Sequence, residues 1–159
     1  MKINTKKHNF EEMYQVGNVI QWINGNIYLV VDHGELDYSL VDLTNNKVYA
    51  TYDTLENLIS NLASESDVLV NAEINVFWGG INMKINFKNK KSEDMYKVGN
   101  VIKDIADTLY LVVGNNDHGY ALVNLTDNNV TEKFSTLEGL ANVYGDKDDV
   151  LVKAEINVF

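Results

Sequence analysis

Three histidines, His8, His33 and His118, are the only imidazoles in a chain of 159 residues that has no cysteine and whose 13 basic side chains are all lysine. His33 lies in Asp32-His33-Gly34 and His118 in Asp117-His118-Gly119. A carboxylate next to an imidazole could serve a general base or a metal site. The two triplets, however, fall three positions out of step in the internal repeat described below, so they read better as polar turns. Without Cys there is no thiolate nucleophile, no Cys-based zinc site and no disulfide. No phosphate loop, dinucleotide fingerprint or nucleophile elbow occurs. The acidic pairs Glu11-Glu12 and Asp148-Asp149 are sequence neighbours that point apart on a strand or helix, unlike the facing carboxylates of a glycosidase. The residue types therefore predict a binding protein with no catalytic residues, no cofactor and no metal.

What could be bound follows from charge. The formal net charge is -10, and without Arg the chain lacks the planar fork that pairs with phosphate and guanine. Direct contact with nucleic acid or an anionic membrane is disfavoured. The lysine-rich stretch 84–97 also holds Glu93 and Asp94 and reads as a solvated segment. No apolar run has the length of a membrane span, and Met1-Lys2-Ile3-Asn4-Thr5-Lys6 does not resemble a signal peptide, so a cytoplasmic protein is expected. Trp22 is the candidate anchor. Its repeat counterpart is Asp104, an exchange that a core position rarely accepts, so Trp22 is expected on an outward face, as a binding residue or packed on the other unit. The following loop offers Asp32, Glu35 and Asp37, carboxylates suited to a basic protein surface. Trp78, first residue of the junction between units, is expected to cement them together.

The elements that must position these residues are written twice. Shifting the sequence by 82 positions superimposes 1–77 on 83–159 without a gap, with 39 of 77 aligned positions identical, and leaves 78–82 (Trp78-Gly79-Gly80-Ile81-Asn82) as a junction. Each unit has its own beginning and end, which predicts two similar domains; the alternative is one sheet or core shared across the junction. Within a unit, Val16-Gly17-Asn18 turns the chain into a first strand, Asn24-Gly25 signals a hairpin, and Ile27-Tyr28-Leu29-Val30-Val31 forms the second strand. Residues 38–43 give a third strand, Asn45-Asn46 a turn and 48–52 a fourth. Asp53-Thr54-Leu55-Glu56 and Ser135-Thr136-Leu137-Glu138 read as capping boxes with Asp53 and Ser135 as caps. Leu55, Leu58, Ile59 and Leu62 then have the spacing of a helix stripe, and the alternation over 68–77 predicts one long, half-buried final strand. The expectation is an α+β fold: a tandem repeat of two small SH3-like, strongly bent antiparallel sheets, each with one short helix.

The segments Met13-Tyr14-Gln15-Val16-Gly17-Asn18-Val19-Ile20 and Val68-Leu69-Val70-Asn71-Ala72-Glu73-Ile74-Asn75-Val76-Phe77, repeated in the second unit, together with length and Lys/Asn-rich acidic composition, resemble an anti-CRISPR protein of the staphylococcal group. The resemblance implies a phage or mobile-element protein in a bacterial host cell. It would act as monomer or homodimer on a type II CRISPR effector nuclease with its guide RNA. Some such proteins mimic DNA at the site that reads the recognition motif, and others hold the HNH nuclease domain and leave DNA binding intact. The aromatic-rich strands and a modest net charge favour the second mode here; a general phage protein-interaction module is the remaining alternative. The binding surface is expected mainly on the first unit, which has 11 acids and 4 lysines against 12 and 9 in the second.

Overall fold

Alternation within the strands explains the architecture. The computed structural model describes residues 9–34, 37–77 and 95–159. The first unit runs α1 (Phe10–Met13), β1 (Val19–Gln21), β2 (Ile27–Asp32), β3 (Tyr38–Asp42), β4 (Lys47–Tyr52), α2 (Leu55–Leu62), β5 (Val68–Val70) and β6 (Ala72–Phe77). The second runs β7 (Val101–Lys103), β8 (Leu109–Asn115), β9 (Gly119–Asn124), β10 (Asn129–Val130), α3 (Leu137–Tyr144) and β11 (Val150–Val158). The fold is mixed α+β, mostly sheet, with three short helices among the described residues.

Both units use one strand order, β5-β1-β2-β3-β4 and β11-β7-β8-β9-β10, with the helix between the last two strands in sequence. The two orders merge into a single sheet, because β2 meets β10 in parallel and β6 pairs antiparallel with β11. This sheet is not closed: among the described strands its path ends at β4 and at β6.

In β2, Tyr28 and Val30 face the helix side, where they pack with Tyr14, Ile20, Leu40 and Leu58. Leu29 and Val31 face the other way and join Val41 and the second unit's Leu111, Val113 and Val123 in a common core. The second unit repeats the helix-side cluster with Tyr96, Ile102, Val112, Leu122 and Leu140. A strand buried on both faces needs a continuous apolar run, which is why Ile27 to Val31 lacks the alternation of a half-exposed strand. The two units thus share a core.

Four local details depart from the sequence reading. The helix caps are Thr54 and Thr136, one residue later than Asp53 and Ser135: their Oγ1 atoms accept from the backbone N–H groups of Asn57 at 3.1 Å and Gly139 at 3.0 Å. Asp53 instead accepts from the Asn57 side chain. The final strand of the first unit is split at Asn71, whose carbonyl accepts from the Phe159 N–H at 2.8 Å, while β11 is continuous. A short helix, α1, occupies part of the polar lead-in. Strand β10 stops after two residues, where Thr131 Oγ1 takes the Leu122 N–H in place of a backbone carbonyl.

Candidate protein-binding surface

Trp22 follows β1 in the turn closed by its own N–H to the Asn26 carbonyl at 3.0 Å and by Gly25 N–H to the Trp22 carbonyl at 2.8 Å. Its ring lies 4.1 Å from Tyr28 and 5.1 Å, edge-on, from Tyr49, which also meets Tyr28 at 5.5 Å. The side chain is half-buried against the first unit's helix-side cluster, not against the second unit. Its Nε1 is buried and meets no acceptor in hydrogen-bonding geometry. Asp104 takes this place in the second unit, whose turn is closed by the same pair of backbone bonds, and its Oδ1 accepts in addition from the N–H groups of Ala106 and Thr108.

Behind the cluster, the buried Tyr14 hydroxyl donates to Asp67 at 2.6 Å, and Tyr96 donates to Asp149 at 2.8 Å. The same carboxylates accept from the Ser64 and Asp146 N–H groups and fix the turns entering β5 and β11. Burial, then the bond to Asp67, push the Tyr14 hydroxyl far above its usual range, opposed by the Trp22 indole near the same oxygen. Tyr96 is raised by burial and by Asp149. These tyrosines are structural ties.

The acidic loop is elsewhere. Asp32 ends β2, its Oδ1 accepting from Gly34 N–H at 3.1 Å, and the Asp37 carbonyl accepts from His33 N–H at 2.9 Å. Trp22 is next to the start of β2, so it stands about five strand residues, roughly 17 Å, from Asp32. The structure does not bring Trp22 together with Asp32 and Asp37 as one patch. Glu35 and Trp78 lie outside the described residues. His33 Nε2 meets Ser39 Oγ at 2.7 Å, and burial lowers its pKa. His118 sits in the β8–β9 turn, its N–H donating to Asn115 Oδ1 at 2.9 Å. Among the described residues, no group of three or more His, Asp or Glu is placed to hold a metal ion. None of the described helices is long and apolar enough to cross a membrane.

No protein family, curated protein or solved structure matches the chain. The chain's own duplication is therefore the available comparison, and it singles out residues that sequence reasoning passed over. Ile23 is 85% exposed and its counterpart Ile105 80%. Val68 and Leu69, with their counterparts Val150 and Leu151, are exposed as well. Val68 pairs with Gln21 in register and Leu69 with Ile20, as Val150 does with Lys103 and Leu151 with Ile102, so these exposed residues lie where the first strand meets its neighbour, the Val and Leu on opposite faces. All three residues are identical in the two copies, although about half of the aligned positions differ. Exposed side chains add little to the core, so packing does not explain their retention. Their surroundings did change: Gln21, Glu65 and Asn71 in the first unit correspond to Lys103, Lys147 and Lys153 in the second. The first trio thus lies near Trp22 with the one acid Glu65, whereas the second has Lys103, Lys147 and Lys153, ion-paired with Asp107, Asp148 and Glu155. Only the identity of these residues across the repeat could have flagged them, since apolar residues in strands are ordinarily read as core.

Proposed function

We propose that this protein is a non-catalytic inhibitor in the bacterial cytoplasm. It binds a type II CRISPR effector nuclease carrying its guide RNA and blocks DNA cleavage through the HNH nuclease domain. The observation that carries the protein-binding part is the retained exposed trio Ile23, Val68 and Leu69, beside Trp22. Apolar side chains kept exposed in both copies, with Trp22 nearby, are candidate anchors of a protein interface. Glu65 near the first trio suits a nuclease surface rich in Lys and Arg, with Asp32 and Asp37 as more distant steering charges and Glu35 in the same sequence segment as those two. The nuclease as target is supported by the resemblance of the two repeated segments to anti-CRISPR proteins. Each unit is read as an open SH3-like sheet, supported by its strand order and by the helix before the last strand.

Duplex mimicry draws on the net charge of -10. Weighing against it are the apolar trios and the three lysines around the second. The experiment is a DNA-binding assay on the nuclease–guide complex, run beside a cleavage assay. Binding to the HNH domain leaves target DNA bound while cleavage stops, and mimicry releases the DNA. If neither binding nor cleavage changes while the protein still captures other phage or host proteins, the general interaction module takes its place.

A further inference from the structure

The contacts between the units obey a two-fold rule. Asp32 N–H donates to the Asn128 carbonyl at 3.1 Å, and the counterpart of Asp32, Gly114, donates to the counterpart of Asn128, the Asn46 carbonyl, at 2.9 Å. Gly17 faces the Asn128 side chain and Gly99 faces that of Asn46, so closely that a Cβ would lie 2.8 and 3.0 Å from the amide nitrogens. Both Asn residues have left-handed backbones, at φ 57 and 52, which place them at turn apices that reach across. Strands β6 and β11 pair with Ile74 opposite Ile156, which are counterparts of each other, so an axis passes through this pair. The shared core follows suit, Leu29, Val31 and Val41 from one unit meeting Leu111, Val113 and Val123 from the other. Residue i contacting counterpart j, and j contacting counterpart i, defines an isologous interface.

We infer that this chain is a dimer folded into one polypeptide, and that its interface holds without the junction, so that each half accepts the complementary half of a second copy of the chain. The occupant is fixed by the interface itself, since the surface each half presents is already matched, contact by contact, by its counterpart. Three elements supply it without any covalent link: the common core, the β6–β11 ribbon and the two crossing Asn turns. Exchange of halves between two chains would preserve every one of these contacts, which makes a swapped dimer an accessible assembly.

The test uses the full chain with a protease site placed between Gly79 and Gly80, cut after folding. The cut protein should remain one species with the summed mass in native mass spectrometry. Isotope-labelled and unlabelled cut proteins, unfolded together and refolded, should yield about half mixed pairs, as random reassortment requires. Ile74→Glu with Ile156→Glu should make the cut halves separate, with the helical circular dichroism of both halves retained. Halves of the otherwise unchanged protein that separate on cutting, or that refold without forming mixed pairs, would overturn the inference.

Discussion

At the scale of single residues, Trp22 shows how an exchange between repeats misleads. Replacement by Asp104 suggests exposure, yet position 22 sits at a turn edge that either side chain can complete. Trp22 packs on Tyr28 and Tyr49, and Asp104 caps two turn amides. Trp22→Ala should therefore cost about 2 kcal/mol of folding stability, less than for a fully buried Trp. Urea titration followed by circular dichroism would measure it, and must precede any reading of binding loss. The matched Tyr-Asp ties give a second expectation. Tyr14→Phe or Tyr96→Phe removes a partner from a buried carboxylate and should cost about 1–3 kcal/mol each. Because both hydroxyls are raised above the ordinary value of 10.0, they stay protonated in the folded chain where the unfolded chain ionises. Their contribution is complete below about pH 10 and declines as pH rises beyond it. Melts from pH 8 upward should fall less steeply in the double Phe variant than in the parent. A parallel decline would remove these tyrosines as the source.

At the scale of elements, sequence periodicity located the strands and both main helices because the patterns reflect burial on one or both faces. The stripe Leu55, Leu58, Ile59 and Leu62 packs as spaced, with Leu58 wholly buried. Cap positions were harder to read, since Asp53-Thr54 and Ser135-Thr136 each offer two cap-competent side chains, and only backbone geometry chooses between them. Thr54→Ala and Thr136→Ala should each lower stability by about 1 kcal/mol, and Ser135→Ala should cost less. Equal losses at Thr136 and Ser135 in denaturant titration would contradict the observed cap. A backbone test lies in the β8–β9 hairpin. Gly114, at φ 133, would place a Cβ 2.2 Å from the Gly119 carbonyl oxygen, so Gly114→Ala should cost about 3 kcal/mol or more. Gly25, at φ 85 with open space around it, should lose only about 1 kcal/mol as Ala. A thermal-melt comparison of the two variants reads the difference directly.

At the scale of the whole molecule, the duplication was plain in the sequence, but the face joining the copies was not. Leu29 and Val31 look like Tyr28 and Val30 in an apolar run, and nothing in the pattern says that one pair meets a helix and the other a second unit. Distances along strands were likewise hidden: Trp22 and the loop of Asp32 and Asp37 are close in sequence, yet an extended strand holds them apart. The exposed trios became visible only when burial was combined with the repeat. If the first trio is the contact, Leu69→Glu should weaken nuclease binding at least about tenfold, as for an interface anchor, with Leu151→Glu changing it less. Titration calorimetry on folded variants would rank them, and the reverse ranking would move the surface to the second unit. The most direct measurement is cleavage of target DNA by type II nucleases of low-GC bacteria, titrated with this protein. Cleavage by a susceptible nuclease is expected to end near one equivalent while target DNA remains bound. Undiminished cleavage at large molar excess across several such nucleases would contradict this expectation.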